Sequence, residues 1–300
     1  MNSAGLRALS LAGVFILACT PQDATDSTLE RSRQHGLRVG LAIEPPYAYV
    51  DSTGEPTGSE PGVLMEMARD LGITELQWFP LPFHDLIPGL LAGRVDVIAS
   101  GLFITPERKQ LVRFSQPTLC VGSVLVTRRA SAAHASREPG EATCPACRIA
   151  TVQGSVEHRS FAHHGPDREL VVVPDLATAA AAVHNGTADA LAISAPTGRR
   201  MAEKDSALSV DDRSLPRSLQ NDMKGCAALA FRPQDDQLAA AFDSVLAEFV
   251  GTSGHLELVE PFGFRPHEVP CGSGIAVQQV PGCSRTPASA DHDGQPERRG

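Results

Sequence analysis

Apolar positions along this chain alternate between a spacing typical of strands and a spacing typical of helices. Short apolar or β-branched runs predict strands at 37–42, 76–81, 95–100, 121–127, 149–152, 170–173, 190–193 and 227–231. Apolar residues three or four positions apart predict helices at 63–71, 86–92, 176–185 and 238–250, and near 156 onward. Gly72, Gly93 and Gly186 follow three of these helices, where a left-handed residue is favoured. Alternating strands and helices predict an α/β fold.

The two halves of the chain repeat one short pattern. GRVDVI at 93–98 is paralleled by GTADAL at 186–191. In each copy a glycine that ends a helix leads into an apolar strand with an aspartate near its start. The chain has 300 residues, which is enough for two lobes. We therefore expect two similar units.

The composition excludes some classes of partner. Hydrophobic residues make up 42% of the chain and charged residues 20%, which is ordinary for a globular protein. The net charge of −9 gives no support to nucleic-acid binding or to a polybasic membrane surface. The ten histidines show no metal-binding spacing, so we predict neither a metal nor a cofactor.

The N-terminus has the features of an export signal. Arg7 precedes an apolar run at 8–17, and ILAC at 16–19 resembles a bacterial lipoprotein cleavage site. We predict a signal peptide at 1–19, lipidation at Cys19 and a polar tether at 20–36. Lipid anchoring would place the protein on a membrane, in the periplasm or at the cell surface. An ordinary secretory signal with an incidental cysteine is the alternative.

Six cysteines remain after Cys19, and an even number in an exported chain predicts pairing. They are Cys120, Cys144, Cys147, Cys226, Cys271 and Cys283. The C-x-x-C spacing of Cys144 and Cys147 also occurs in redox and zinc sites. No second such pair completes a zinc site, so a local disulfide is the favoured interpretation.

The stretch at 93–117, GRVDVIASGLFITPERKQLVRFSQP, carries the strongest indication of function. A strand ends at Ser100 and Gly101, and Thr105 and Pro106 are suited to cap and begin a helix. Arg108 then falls in the first helical turn, where the helix dipole disfavours a cation. Because an incoming anion would remove that penalty, the arrangement predicts a receptor for a small carboxylate.

These residues resemble the family 3 extracellular solute-binding proteins of ABC importers. The family pattern, G-x-x-D-x-x-x-x-G-x-x-x-T-x-x-R and then F-S-x-P, is matched by Gly93, Asp96, Gly101, Thr105, Arg108, Phe114, Ser115 and Pro117. The resemblance continues over 37–264 in matching order. It implies a two-lobed, type II periplasmic-binding-protein fold, each lobe a mixed sheet flanked by helices. The tail at 266–300 lies outside the resemblance and is predicted to be flexible.

The resemblance also implies where the lobes divide. Lobe I would comprise 37–120 plus 226–265, and lobe II would comprise 121–225, joined by two hinge strands that let the lobes close on a ligand. If those strands run side by side, Cys120 and Cys226 are near enough to form a disulfide. Local pairs Cys144–Cys147 and Cys271–Cys283 would then remain. The alternative is that Cys120 and Cys226 are small buried residues that never pair.

Arg108 matches the family's carboxylate-binding arginine, and a solvated arginine in the first helical turn is the alternative. Ser155 matches a second-lobe residue that reaches the same carboxylate, and it is also suited to cap a helix. Amino-acid binders in the family meet the ammonium with a hydroxyl two residues after the glycine that aligns with Gly101, and with an aspartate in the second lobe. Here those positions hold Phe103 and Ser194. The resemblance therefore disfavours a standard amino acid, because a buried ammonium without acceptors is costly.

Aromatic residues occupy other ligand-facing positions of the family. Tyr47, Phe83 and Phe103 predict a cage for a delocalised cation, with Glu44 pairing the same charge. This combination resembles the subgroup that binds ectoine and hydroxyectoine, which carry a carboxylate and a cyclic amidinium. For each ring taken alone, packing in the core of a lobe is the alternative.

The predicted function is therefore that of an importer receptor for a small zwitterion, working as a monomer with ABC permease subunits. An amino-acid receptor of the same family is one alternative. An exported cyclic-acid dehydratase, with Glu44 as general acid, or a ligand sensor is another. No nucleophile–base arrangement or phosphate loop in the sequence supports catalysis, so we expect no enzyme activity.

Overall fold

The computed structural model describes residues 27–129, 147–164, 169–211, 219 and 223–272. The strands are β1 (Leu37–Leu41), β2 (Tyr49–Val50), β3 (Pro56–Thr57), β4 (Leu76–Pro80), β5 (Val97–Ile98), β6 (Arg113–Phe114), β7 (Leu119–Val121), β8 (Ser123–Arg128), β9 (Ile149–Val152), β10 (Leu170–Val173), β11 (Ala190–Ser194), β12 (Leu208–Asp211), β13 (Gly225–Ala227) and β14 (Ala230–Phe231). The α-helices are α1 (Thr28–His35), α2 (Ser59–Asp70), α3 (Leu86–Leu91), α4 (Pro106–Lys109), α5 (Val156–His164), α6 (Leu176–Asn185), α7 (Ala195–Lys204), α8 (Asp236–Phe249) and α9 (Ser253–Val259). Short 3-10 turns lie at Phe83–Asp85, Glu260–Phe262 and Pro266–Glu268.

The strands form two five-stranded mixed sheets, in the orders β4-β1-β5-β14-β6 and β10-β9-β11-β8-β12. β1 and β9 are parallel to both of their neighbours, whereas β14 and β8 are antiparallel to theirs. We call the first sheet with its helices lobe I and the second sheet with its helices lobe II. Each sheet contributes to its own hydrophobic clusters. The predicted α/β class is confirmed.

Two predicted strands are each divided where the chain crosses between the lobes. The stretch predicted at 121–127 becomes β7 and β8, and the stretch predicted at 227–231 becomes β13 and β14. β7 and β13 pair with each other in a separate two-stranded sheet, while β8 and β14 join the sheets of lobe II and lobe I. The division therefore marks the two crossings that connect the lobes.

A disulfide joins these two crossings. Cys120 and Cys226 are directly opposed in the antiparallel β7–β13 pair, with their Cα atoms 3.9 Å apart, and their sulfurs are bonded. The predicted pairing of these two cysteines is confirmed. Cys147 and Cys271 each take part in a further disulfide. Their predicted partners Cys144 and Cys283, like Cys19, lie outside the described residues.

Replacing both Cys120 and Cys226 by serine is expected to lower the free energy of unfolding by about 2–4 kcal/mol. The bridge spans 106 residues of sequence, so it restricts the unfolded chain strongly. Denaturant unfolding of the exported, oxidised wild type and of the double variant measures the loss. Recovery of both cysteines as free thiols in non-reducing peptide mapping would contradict the pairing.

The internal repeat is visible as one anchor that occurs in both lobes. In lobe I, Asp96 accepts hydrogen bonds from the backbone N–H of Arg38 (3.1 Å) and from its guanidinium (2.9 and 2.7 Å). In lobe II, Asp189 accepts the same three bonds from Arg148, at 2.9, 3.3 and 3.1 Å. Each aspartate thereby ties a strand to its parallel neighbour, β5 to β1 and β11 to β9.

Two segments that the sequence predicts to be loose are packed instead. Within the predicted tether, α1 docks on lobe I, where Leu29 packs against the core and Thr28 donates to Asp235 (2.6 Å). At the start of the predicted flexible tail, Val269 is fully buried and Glu268 is nearly so. The packing of these two segments is not evident from their polar composition, because a few specific contacts decide whether such a segment docks.

Helix α7 was not predicted. Its sequence, APTGRRMAEK, contains a proline and a glycine, which argue against a helix interior. Pro196 falls in the first turn, where proline is tolerated. A Cβ at Gly198 would lie only 2.6 Å from Val124 of β8, so the glycine lets the helix lie close against the sheet. None of the helices in the described part of the chain could span a lipid bilayer.

Candidate functional site

Arg108 lies between the lobes and is only 5% exposed. Its guanidinium donates to the carbonyl of Phe103 in lobe I (2.7 Å) and to the carbonyl of Gly154 in lobe II (3.0 Å). The ring of Phe83 lies 5.5 Å from the guanidinium carbon. Within the described residues Arg108 forms no ion pair, so its charge is available to a bound anion.

The pKa of Arg108 is lowered to about 10, first by burial and then by the charge of Arg159. The carboxylates of Glu157 and Glu107 partly offset this effect. The guanidinium therefore stays charged at neutral pH, although burying it is unfavourable. A bound carboxylate would relieve that cost.

The loop that carries Arg108 is built as the sequence predicts. Thr105 caps α4 by accepting from the backbone N–H of Arg108 (3.3 Å), and Pro106 begins the helix. Gly101 has a φ of +64°, and a Cβ there would lie 2.5 Å from the ring of Tyr47. Only glycine allows the loop to run across the face of that tyrosine.

Glu44 of lobe I meets lobe II at the start of α7. Thr197 donates to its carboxylate (3.1 Å), and Ser194 donates in turn to Thr197 (2.9 Å). The pKa of Glu44 is raised to about 7, mainly by burial and further by Glu157, and hydrogen bonds from Thr197 and Ser194 partly offset the rise. The structure therefore brings predicted residues Glu44 and Ser194 together.

Glu157, in the first turn of α5, was missed by sequence reasoning. Its side chain is 4% exposed, and its Oε1 accepts from the hydroxyl of Ser123 (2.5 Å). Burial raises the pKa of Glu157, partly offset by the Ser123 hydrogen bond and by Arg108. An acid in a first helical turn usually offsets the helix dipole at the surface, so the sequence offers no signal that this one is buried.

The three predicted cage aromatics do not share one environment. Tyr47 is buried, with its ring 5.3 Å from that of Phe264 in an edge-on contact. Phe103 is buried in the same cluster, and a Cβ at Gly225 would lie 2.8 Å from its ring. Phe83 packs against clusters of both lobes and contacts Arg108. Tyr47 and Phe103 are therefore buried where the two lobes meet: their cluster includes Val156 of lobe II, and the Tyr47 hydroxyl lies near Ser194.

The hydroxyl of Ser155 caps α5. It accepts from the backbone N–H of His158 (3.0 Å), and the N–H of Ser155 donates to the carbonyl of Val152 (3.1 Å). The carbonyl of the preceding Gly154 is the group that meets Arg108. This segment therefore positions the arginine from the side of lobe II.

Contacts on both rims of the cleft hold the lobes together. On one rim Arg159 pairs with Glu107 (3.2 Å) and donates to Thr105 (3.3 Å). On the other, Arg200 donates to the hydroxyl of Tyr49 (3.2 Å). These bonds join side chains of α5 and α7 to lobe I, so the two lobes are in contact.

A cavity of about 1340 Å³ lies beside the hinge strands and is lined by Cys120, Cys226 and Lys224 among others. Arg108 and Glu44 do not line it. We place the candidate site at the buried charges instead, because volume alone supplies no recognition chemistry. Among the described residues, no cluster of histidine, cysteine or acidic side chains could hold a metal ion.

This fold and this cleft define a class of two-lobed binding proteins. Residues 37–262 match the bacterial extracellular solute-binding proteins, family 3, and the chain belongs to that family. It is 29% identical over 271 residues to a probable amino-acid ABC transporter periplasmic-binding protein, y4tE, of Sinorhizobium fredii (strain NBRC 101917 / NGR234), covering 88% of this chain and 89% of the relative.

Solved structures agree with the type II periplasmic-binding-protein fold. The P235GK mutant of ArgBP from T. maritima is 28% identical with a TM-score of 0.69, covering 78% of this chain and 98% of that chain. EhuB in complex with hydroxyectoine is 27% identical with a TM-score of 0.68, covering 80% and 93%.

Proposed function

We propose that this protein is the solute receptor of an ABC importer and that it captures a small zwitterionic carboxylate between its lobes. The observation that carries the proposal is Arg108, a buried guanidinium that forms no ion pair among the described residues. Two carbonyl groups, one from each lobe, fix its orientation. Because a guanidinium has five N–H donors, several remain for a carboxylate. The similarity to y4tE supports the importer role.

Ectoine or hydroxyectoine is the first ligand to test. The motif Glu44-Pro-Pro-Tyr47 supports it, as does the similarity to EhuB, whose structure holds hydroxyectoine. An amino acid is the second candidate, and one structural observation favours it. Two carboxylates, Glu44 from lobe I and Glu157 from lobe II, lie close enough that the charge of Glu157 raises the pKa of Glu44. Carboxylates suit a localised ammonium better than an aromatic cage does.

A thermal-shift screen of ectoine, hydroxyectoine, betaines and the standard amino acids tests the proposal, because a ligand that binds only the native state raises the melting temperature. We expect ectoine or hydroxyectoine to bind more tightly than any standard amino acid when the hits are measured by calorimetry. A standard amino acid bound at low micromolar affinity with ectoine silent would select the second candidate. If no zwitterion raised the melting temperature, the proposal would be overturned.

Ligand affinity is expected to fall as the pH is lowered from about 8 to about 5.5. Glu44 has a pKa raised to about 7, and only its ionised form attracts a cation. Below that pKa a ligand must displace a proton, so affinity should fall by up to about tenfold per pH unit. Calorimetry at several pH values measures the slope, and Glu44→Gln should flatten it. A pH-independent wild type would contradict the role of Glu44.

The attachment to a membrane remains a proposal from the sequence. Cys19 would carry a lipid, and permease subunits would receive the loaded protein. Metabolic labelling with a fatty acid tests the anchor: wild type should incorporate label and Cys19→Ala should not. Equal labelling of both would contradict it.

A further inference from the structure

We infer that Glu157 is the lobe II acceptor for the cationic nitrogen of the ligand, an inference that rests on the proposed capture of a zwitterion. Glu157 would act from α5, in place of an acid at the position that Ser194 occupies at the end of β11. Glu44 would meet the same nitrogen from lobe I. The cation end of the cleft would then be a pair of carboxylates, one from each lobe.

The strand register brings the two carboxylates toward one another. Ser123, which donates to Glu157, is directly opposite Ser194 in the antiparallel β8–β11 pair. Ser194 donates to Thr197, and Thr197 donates to Glu44. Directly opposed residues have Cβ atoms about 4.5–5.5 Å apart. Glu157 is therefore held by Ser123, and Glu44 is held through Thr197 by Ser194, the residue directly opposite Ser123.

The electrostatics of this arrangement call for a cation. Within the described part of the chain, neither Glu44 nor Glu157 forms an ion pair. The charge of Glu157 raises the pKa of Glu44, because like charges repel. Buried carboxylates without a cationic partner are unfavourable. A ligand nitrogen between them would relieve both the burial and the repulsion.

One short segment of lobe II contacts Arg108 and also carries Glu157. Gly154, whose carbonyl holds Arg108, is three residues before Glu157 on the same turn into α5. The charges of Arg108 and Glu157 also act on each other, because each shifts the pKa of the other toward its charged form. A zwitterion whose carboxylate and cationic nitrogen are close together, as in α-amino acids and ectoines, would suit this arrangement.

Losing Glu157 would have a different effect if its role were purely structural. If its carboxylate only anchored Ser123 and the start of α5, its loss would lower stability and leave ligand preference unchanged. If it accepts the ligand nitrogen, its loss would remove the preference for a cationic ligand over a neutral analogue. Preference is therefore the measurement that separates the two roles.

The test compares Glu157→Gln with wild type on two matched ligand pairs. One pair is ectoine and L-pyroglutamate, and the other is L-glutamine and 4-carbamoylbutanoate; in each pair only the first member has a cationic nitrogen. For the pair that binds, wild type should prefer the cationic member, and Glu157→Gln should reduce that preference by roughly 10- to 100-fold. Glu203→Gln removes the same charge from an exposed site on α7 and should leave the preference unchanged.

The outcomes separate this inference from the proposed function. Binding to the wild type with an unchanged preference in a folded Glu157→Gln would overturn the inference alone. No binding of any probe to the wild type would overturn the proposed function and this inference with it. If Glu157→Gln fails to fold, Glu157→Met takes its place, because it removes the charge with a side chain of similar size while Ser123 keeps its hydrogen bond to the carbonyl of Met223 (3.2 Å). A wild-type preference in that variant would also overturn the assignment.

Discussion

Arg108→Ala is expected to abolish measurable ligand binding while leaving the protein folded. The substitution removes the buried cation that would pair with the ligand carboxylate between the lobes. Breaking a buried charge pair by removing one partner costs about 3–5 kcal/mol, which corresponds to a loss of roughly two to four orders of magnitude in affinity. Calorimetry with the best ligand of the screen measures the effect.

Two further variants show whether the geometry of Arg108 matters in addition to its charge. Arg108→Lys keeps a positive charge but cannot reach the Phe103 and Gly154 carbonyls with a planar fork, so it should also bind poorly. Arg69→Ala removes an exposed arginine of lobe I and serves as the control. Wild-type affinity in Arg108→Ala would show that the carboxylate site has been placed wrongly.

Asp96→Ala is expected to lower the free energy of unfolding by about 3–5 kcal/mol, because Arg31 and Arg38 lose their buried carboxylate partner and Arg232 keeps only Asp235. Asp96 is fully buried and pairs with Arg31 (2.7 Å), Arg38 (2.7 Å) and Arg232 (3.0 Å). These arginines come from α1, from β1 and from the end of β14. The carboxylate thus ties three separate parts of lobe I together.

The equivalent residue of the repeat provides a matched control for Asp96. Asp189 makes the same contacts to one arginine, but its side chain is 36% exposed. Asp189→Ala should therefore cost about 1 kcal/mol or less. Denaturant unfolding of both variants gives the comparison. If both variants lost the same free energy of unfolding, the additional arginines around Asp96 would contribute no stability beyond the anchor that both lobes share.

The pH dependence of stability offers a second check on Asp96. Burial alone would raise the pKa of this carboxyl, but hydrogen bonds from Arg38, Arg31 and Arg232 hold its pKa well below the usual range. Because the folded-state pKa is depressed, the contribution is fully present above the unfolded pKa of about 3.9 and is lost as the pH falls below it. The stability difference between wild type and Asp96→Asn should stay constant from about pH 8 to 5 and shrink below about pH 4.

Local sequence determined the regular structure of this protein. Apolar spacing predicted most strands and helices, and capping residues such as Thr105 and Gly186 predicted where helices begin and end. The glycine–aspartate repeat predicted two similar units, which the Asp96 and Asp189 anchors confirm. These signals are legible because they act between residues that are near one another in the chain.

Tertiary structure decided which side chains face the cleft. Tyr47 and Phe103 are buried in a cluster that includes Val156 of lobe II, and Glu157, an acid in a first helical turn, is buried against Ser123. Polar segment α1 docks because Arg31 reaches Asp96, far away in the sequence. Local patterns record which positions are apolar, but the partner of a polar or aromatic side chain depends on how the two lobes meet, because that contact is made only between residues distant in the chain.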